Sequence, residues 1–316
     1  MNSIRVAAVV VFLATACTAH AGQFTTFTVP NTSWTNPTAV NASGVVTGYC
    51  GMPGDTGFIR TPDGQYTVFS LPDFHGTLPI GINASGTVVG ASALGEKAFV
   101  RHADGSVEVF QVGEVSTQPR AINAEGYVLG DYNNNASHGS FLRAPDGAVT
   151  FLDLPGTAAG AFGINDNNVI VGDYFAEDGD HGYLKFPDGS LTTLPVRTRG
   201  FAVNNSNYVG GIATKHMGKS RGGMLWRPGG KIRVFSTMVD SSFWFSINKR
   251  GSVAGSFRDE QSLIHGYVYT RDGTFTQLDA PKATTGTVVR GINDSGEVVG
   301  YALNNHGRPS GFIWTP

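Results

Sequence analysis

The sequence predicts an all-β fold, for three reasons. Forty-three of the 316 residues are glycine and only 15% are charged, a composition that is typical of short strands joined by tight turns. Apolar residues alternate with a period of two, as they do in strands and not in helices. The third reason is internal repetition, because one unit recurs along the chain every 39 to 45 residues.

The repeat is marked by an asparagine that follows Ile or Val. These marker asparagines are Asn41, Asn83, Asn123, Asn165, Asn204, Asn248 and Asn293. The residue three positions later is always Gly or Asn, the two types that adopt a left-handed backbone at least cost. A glycine stands seven positions after each marker. We therefore predict the same tight turn in every copy, capped by the marker asparagine.

Each copy predicts four strands. One short strand precedes the marker, and an apolar strand follows the turn. A third strand carries a large apolar or aromatic side chain at one matched position, which we expect in the core. The matched residues are Phe58, Phe99, Phe141, Tyr183, Met224, Tyr267 and Phe312. A hairpin turn then leads into the fourth strand and is marked by Asp-Gly at Asp63, Asp104, Asp146, Asp188 and Asp272.

Four strands in about 40 to 45 residues is the period of a β-propeller blade. We predict a seven-bladed β-propeller with four antiparallel strands per blade. The seventh copy ends after its third strand, whereas Gly22 to Pro30 is similar to a fourth strand with no copy before it. The N-terminal strand is therefore expected to complete the last blade and close the ring. An open or differently numbered ring is the alternative.

The first 21 residues are predicted to be a secretion signal. Arg5 is followed by an apolar stretch from Val6 to Ala16, and Ala19-His20-Ala21 fits the cleavage rule. Residues 22–316 then form a single propeller domain, secreted or periplasmic. A lipoprotein anchored at Cys17 is the alternative. After cleavage at Ala21, Cys50 is the one cysteine left, so an intramolecular disulfide is not expected.

The repeat is similar to a known extracellular unit. The pattern Gly-Ile-Asn-x-Ser-Gly-x-Val-Val-Gly, carried by residues 81–90, 163–172 and 291–300 together with His181-Gly-Tyr-Leu, resembles the HAF-type bacterial extracellular repeat. The fifth copy departs from this pattern between Lys219 and Trp226. The resemblance implies an exported bacterial repeat protein and implies no particular activity.

A candidate binding site follows from the geometry of a propeller. The position three residues before each marker is expected near the axis, and it holds Thr38, Ile80, Arg120, Phe162, Phe201, Phe245 and Arg290. Arginines grip carboxylates and aromatic faces accept sugar rings, so this set suits an anionic or sugar-like ligand. The alternative is that the arginines pair with carboxylates across blades.

Variable loops at the same rim add further candidates, because a rigid scaffold with variable loops is a common way to build a binding site. These candidates are Tyr132, His138, Asp173, Tyr174, His181, Trp244 and His265. His181 and His265 share one phase of the repeat, and His138 lies one residue away from it. A structural role, in which the histidines bond to neighbouring loops, is the alternative.

We predict a non-catalytic binding module for an extracellular or envelope ligand, either a glycan or a protein. A lyase or hydrolase acting on acidic polysaccharide is one alternative, with Arg120 and Arg290 neutralising a carboxylate and a histidine or tyrosine transferring the proton. A purely structural surface module is another. The net charge of −2 gives no reason to expect nucleic acid. We expect a monomer without a membrane span, cofactor or metal site.

Overall fold

The computed structural model describes residues 22–51, 56–156, 158–215, 220–235, 245–305 and 308–316. The predicted signal segment, residues 1–21, and the candidate Trp244 lie outside the described residues. The described part of the chain contains strands and no helix. No helix in those ranges is therefore long and apolar enough to cross a bilayer.

Five antiparallel sheets of four strands each follow one another along the chain. The first sheet consists of β2 (Thr35–Val40), β3 (Val46–Cys50), β4 (Thr56–Arg60) and β5 (Tyr66–Phe69). The second consists of β6 (Thr77–Ile82), β7 (Val88–Ser92), β8 (Ala98–Arg101) and β9 (Val107–Phe110). The third consists of β10 (Ser116–Ile122), β11 (Val128–Asn133), β12 (His138–Arg143) and β13 (Val149–Phe151). The next two consist of β14 (Gly160–Ile164), β15 (Ile170–Ala176), β16 (Gly179–Lys185) and β17 (Leu191–Val196); and β18 (Thr198–Val203), β19 (Val209–Thr214), β20 (Ser220–Trp226) and β21 (Arg233–Phe235).

The remaining strands belong to one eight-stranded sheet. They are β22 (Phe245–Ile247), β23 (Val253–Arg258), β24 (Ile264–Tyr269), β25 (Phe275–Leu278), β26 (Gly286–Ile292), β27 (Val298–Leu303), β28 (Ser310–Thr315) and β1 (Gln23–Phe27). A single parallel pairing, Ile264 with Gly286, joins β24 to β26. Apart from that pairing, the sheet consists of two antiparallel groups, β22 to β25 and β26-β27-β28-β1.

The two ends of the described chain lie side by side in this sheet. Strand β1 pairs antiparallel with β28, with Phe24 opposite Trp314 and Thr26 opposite Phe312. The Phe24 ring also meets the Phe312 ring edge-on, 5.5 Å between centroids. The predicted pairing of the N-terminal strand with the C-terminal strand is confirmed. It removes the exposed edge that β28 would otherwise present.

The core lies between neighbouring sheets. All seven matched third-strand side chains are 0% exposed, as predicted, from Phe58 to Phe312. Met224, for example, shares one apolar cluster with Val171 and Leu184 of the preceding sheet and Val209 of its own. Each sheet therefore buries its faces against its neighbours, so stability is distributed over equivalent interfaces.

The predicted turn after each marker asparagine is confirmed. The residue three positions after the marker has a positive φ in all seven copies, between 56° at Asn168 and 96° at Gly296. The marker Oδ1 accepts a hydrogen bond from the backbone N–H four residues later in every copy, at 2.9–3.0 Å. The side chain thus holds the turn closed.

The other end of each marker side chain connects the copies, which the sequence did not predict. Each Nδ2 donates a hydrogen bond to the backbone carbonyl of the next marker asparagine, at 2.9–3.2 Å. The series runs from Asn41 to Asn293 and returns from Asn293 to Asn41. The marker residues are only 3–5% exposed. They therefore form a closed, buried ring of amide hydrogen bonds.

The glycine seven positions after the marker is required by close packing. A Cβ on Gly90 would lie 2.3 Å from the carbonyl oxygen of Leu78 and 2.5 Å from the Phe99 ring. In five other copies a Cβ at the matched glycine would lie 2.0–2.7 Å from the equivalent carbonyl oxygen. These distances are too short for any side chain, because the first strand and the third-strand ring both press on this position.

We expect Gly90→Ala to destabilise the protein by roughly 1–3 kcal/mol, the usual cost of overpacking a filled core. Gly81→Ala is the matched control, because Ala39, Ala121 and Ala202 occupy the same position in other copies. Urea denaturation followed by tryptophan fluorescence measures both free energies of unfolding. Equal stability of the two variants would contradict the packing argument.

We also expect Asn248→Asp to destabilise the fold by roughly 1–3 kcal/mol at neutral pH, because it removes the buried donor to the Asn293 carbonyl. The new carboxyl can donate only when protonated, which raises its folded pKa above the usual value of about 3.9. The variant should therefore lose stability as pH rises from about 4. Asn31→Asp, at an exposed turn, is the control. A pH-independent loss, measured by denaturation at several pH values, would refute this role.

Candidate functional site

In six of the seven copies, a β-bulge in the described first strand aims one side chain towards the middle of the molecule. The bulged residue lies three positions before the marker asparagine, and the pairing register shifts across it. In the third copy this residue is Arg120, and the shift lies between Pro119 and Ala121. The same shift occurs in the first strands β2, β6, β14, β18 and β26. In the sixth copy, the described strand β22 begins at this position, at Phe245. A bulge inserts one extra residue and redirects its side chain.

These positions line one cavity. Its volume is about 540 Å³, and its lining includes all seven: Thr38, Ile80, Arg120, Phe162, Phe201, Phe245 and Arg290. The structure therefore brings together residues that are separated by up to 252 positions in sequence. The rest of the lining comes from small and aliphatic residues of the same strands, such as Ala39 and Ile122. The cavity combines an apolar wall with two guanidinium groups.

The aromatic part of the wall is continuous. The rings of Phe162 and Phe201 lie 5.2 Å apart between centroids, tilted by 54°. The rings of Phe201 and Phe245 are stacked, 5.3 Å apart and only 12° from parallel. Three adjacent copies thus present one apolar surface to whatever occupies the cavity.

Arg120 is held by a carboxylate of its own sheet. Its Nε lies 2.7 Å from Oδ2 of Asp131, and Asp131 Oδ1 accepts a hydrogen bond from Ser140 Oγ at 2.8 Å. The expected alternative, a pairing with a carboxylate, is therefore present, within a sheet rather than across sheets. The Arg120 side chain remains 41% exposed, and among the described residues its recorded bond uses Nε alone. Its terminal nitrogens can still reach a ligand.

Arg290 is the more enclosed of the two arginines. Burial lowers the pKa of Arg290, and the nearby phenols of Tyr301 and Tyr49 oppose that shift. A guanidinium group is not deprotonated in proteins, so Arg290 keeps its charge at neutral pH. A charge in such a place interacts with an anion more strongly than a fully solvated charge does.

Arg199 is a third arginine beside the cavity, and the sequence analysis missed it. Its guanidinium carbon lies 5.5 Å from the centre of the Phe201 ring, and its Nε pairs with the carboxylate of Asp173. Asp173 is only 6% exposed, and burial raises its pKa while Arg199 acts in the opposite direction. The candidate Asp173 therefore positions Arg199 and does not line the cavity. The sequence could have indicated Arg199, because Arg199 stands two residues before Phe201 on β18 and alternate residues of a strand lie on the same face.

The candidate histidines lie outside the cavity, at the start of third strands. His181 bonds through Nε2 to Asp178 at 2.7 Å and stacks on Tyr174, 5.2 Å between centroids. His265 occupies the equivalent place, since it lies opposite Phe257 just as His181 lies opposite Tyr174. The shared phase predicted for these two histidines is therefore present in the structure.

His265 is the most strongly bonded of these groups. Its Nδ1 lies 2.6 Å from Asp279 Oδ1, and its Nε2 lies 3.2 Å from Asp259 Oδ2. Burial lowers the pKa of His265, but its hydrogen bonds to both carboxylates and their charges outweigh burial, so the net pKa is raised.

The other two candidates at this rim are not brought to the cavity either. His138 is exposed and pairs with Asn133 at the start of β12. The Tyr132 ring packs against Phe151, 4.8 Å between centroids. Within the described ranges, no three His, Cys, Asp or Glu side chains are grouped so as to hold a metal ion.

The fold is shared with solved structures. The chain resembles a catalytically inactive variant of virginiamycin B lyase from Staphylococcus aureus with quinupristin (TM-score 0.65, 12% identity, 93% of this chain and 99% of that chain). It also resembles a streptogramin B lyase (TM-score 0.62, 15% identity, 92% and 97%). A puromycin-hydrolysing peptidase from Mycobacterium tuberculosis matches over 89% of this chain and 51% of the peptidase (TM-score 0.61, 10% identity).

No protein-family model and no curated protein matches the sequence. At identities of 10–15% the structural similarity establishes the fold alone. The chain is a β-propeller, built from four-stranded antiparallel sheets. Its activity has to be argued from its own residues.

We expect His265 to titrate above the ordinary histidine value of 6.5. A raised folded pKa means that His265 contributes stability fully below about 6.5, and that this contribution is lost as pH rises through the folded pKa. Two-dimensional NMR of the imidazole, assigned with His265→Gln, measures the pKa. Asp279→Asn should lower it. An imidazole pKa at or below 6.5 in the unaltered protein would contradict the assignment.

Proposed function

We propose that the protein is a seven-bladed β-propeller that acts after export, in the periplasm or outside the cell, and binds an acidic glycan in its channel cavity. The count of seven is supported by the amide ring, which returns to Asn41 after seven marker residues, and by the pairing of β1 with β28. The resemblance of the repeat to the HAF-type extracellular unit supports the exported location, together with the signal-like residues 1–21.

One observation carries the binding proposal. The bulged residues of separate copies place Arg120 and Arg290 in the same cavity as the phenylalanines of three adjacent copies. A volume of about 540 Å³ lies within the range of roughly 300–1,000 Å³ that is usual for small-molecule sites. The cavity is therefore large enough for one or two sugar rings.

The chemistry of the lining indicates the ligand class. Guanidinium groups bind carboxylates through paired, charge-assisted hydrogen bonds. Flat apolar ring faces pack against the C–H faces of sugars, as they do against other apolar surfaces. A uronic acid offers both features in one residue. An acidic glycan supplies carboxylates for these guanidinium groups and a neutral glycan does not, so an acidic glycan is the better match.

The enzymatic alternative has less support in this geometry. Two of the structural neighbours are named lyases, so the propeller fold accommodates such chemistry. Proton transfer needs an acid or base within hydrogen-bond reach of the substrate. His138, His181 and His265 do not belong to the described lining of the cavity, where the ionisable side chains are arginines. Binding is therefore the function we favour over lysis.

We expect oligogalacturonate to bind the mature protein. The double variant Arg120→Ala, Arg290→Ala should weaken this binding by at least about tenfold, because charge-assisted hydrogen bonds contribute roughly 1.5–3 kcal/mol each. Isothermal titration calorimetry measures the affinity. Arg101→Ala is the matched control. It removes a cation that lies over the Phe69 ring of the neighbouring sheet and does not line the cavity.

Three outcomes decide the proposal. Loss of binding in the double variant but not in the Arg101 variant supports it. Equal affinity for neutral oligosaccharides of the same length would contradict the role of the arginines. New ultraviolet absorption or new reducing ends after incubation would show that the enzymatic alternative is correct.

A further inference from the structure

The fifth copy carries an unusual hairpin turn between its third and fourth strands. Five other copies have Asp-Gly at this turn, whereas the fifth reads Arg227-Pro-Gly-Gly-Lys231-Ile-Arg233. Gly229 stands where the other copies have the aspartate, and Gly230 where they have the glycine. Arg227, Lys231 and Arg233 stand where the first copy has Thr61, Gln65 and Thr67. The turn has therefore lost a negative charge and gained three positive charges.

The neighbouring sixth copy adds a fourth cation. Arg271 precedes its Asp-Gly turn at a position that holds proline or alanine in the first four copies. Arg227, Arg271 and Tyr208 line a groove of about 420 Å³. Lys231, Arg233 and Leu225 line an adjoining depression with the same three residues. The two hairpins thus form one groove, called the basic groove below, which opens to solvent.

The basic groove is partly rigid. The guanidinium carbon of Arg271 lies 5.4 Å from the centre of the Tyr208 ring. Arg233 Nη1 donates a hydrogen bond to the backbone carbonyl of Arg271 at 2.6 Å. Tyr208 itself follows the turn of Asn204, whose Oδ1 accepts from the Tyr208 N–H at 3.0 Å. Two of the cations are therefore oriented before any ligand arrives, which lowers the entropy cost of binding.

An equivalent position elsewhere in the protein shows what a purely structural arrangement looks like. Glu108 lies opposite Val100, as Arg233 lies opposite Leu225, so both occupy the same place in their sheets. Glu108 pairs with Arg143 of the next sheet, which neutralises that junction. Among the residues that the structure describes, the four cations of the basic groove form no ion pair with a carboxylate. Four like charges in one groove repel each other unless an anion joins them.

We propose that the basic groove binds a ligand that carries two or more phosphate groups. A phosphate monoester carries about −1.5 to −2 charges at neutral pH, so two such groups balance four cations. Guanidinium groups also match the spacing of phosphate oxygens with paired hydrogen bonds. Arg271 lies over one face of the Tyr208 ring, so that face does not stack on a ligand ring, and the proposed recognition depends on charge.

This site is distinct from the channel cavity. In each copy, the first strand runs from its cavity-lining residue towards the marker asparagine three positions later. The basic groove is built from residues that follow the marker Asn204, including Ser206 and Tyr208, and from hairpin turns. It therefore lies towards the opposite end of the strands, and this proposal does not depend on the glycan proposal.

Tripolyphosphate is the probe, titrated calorimetrically at low ionic strength, because salt screens exposed charges. We expect binding in the unaltered protein, and a loss of at least about tenfold in Arg233→Glu and in the double variant Lys231→Ala, Arg271→Ala. Arg233→Glu introduces the residue that Glu108 already provides at the same place in the second copy. Thermal unfolding checks that each variant is folded. If one of these variants does not fold, the single variant Lys231→Ala, which alters only an exposed turn, is tested in its place.

Arg120→Ala is the control, because it alters the channel cavity and not the basic groove. Retained binding in that variant, with loss in the groove variants, supports the proposal. No binding by the unaltered protein, unchanged binding in the groove variants, or loss in Arg120→Ala would overturn it. Oligogalacturonate of matched charge is titrated into the Arg120→Ala, Arg290→Ala variant, so that the channel cavity does not contribute. Affinity equal to that for tripolyphosphate would overturn the assignment to phosphate.

Discussion

The hydrogen bond from one marker asparagine to the backbone of the next is the interaction on which the rest of the structure depends. One amide side chain holds the turn of its own copy through Oδ1 and reaches the following copy through Nδ2. Because the marker residue and its Nδ2 bond are buried, an unmade bond there would leave polar groups without water or partner, which is costly. The ring therefore fixes the rotation between neighbouring sheets, and with it the width of the channel.

That constraint explains how the copies can differ in chemistry without differing in shape. The glycine seven positions after the marker lets the first strand bulge against the second, and the bulge aims one residue into the channel. Backbone contacts determine the position of this residue, so its side chain is free to vary. The seven matched positions that line the cavity hold threonine, isoleucine, arginine or phenylalanine. A repeat that is uniform in its backbone thus produces a cavity whose lining is particular to this chain.

Features encoded within one copy could be predicted from the sequence. The left-handed turns, the buried third-strand side chains and the pairing of the N-terminal strand with the C-terminal strand all follow from residue type, spacing and one missing strand. Features that depend on the relative position of two copies could not be predicted from the sequence. The partner of each asparagine amide, for instance, lies in the next copy. The partners of His265 come from two loops of unrelated sequence, so its phase was predictable and its carboxylates were not.

The hairpin turn of the fifth copy departs from the repeat, and this departure lowers the stability of the fold. In the fourth copy, Asp188 Oδ1 caps the hairpin by accepting the Ser190 N–H at 2.9 Å. Gly229 replaces that aspartate in the fifth copy, so the cap is absent there and three cations are added beside Arg271. Both changes oppose folding, through a lost hydrogen bond and through repulsion between like charges. A turn that needed only to connect two strands is better served by the Asp-Gly of the other copies. The basic groove is therefore explained more simply by an anion that it binds than by the architecture that carries it.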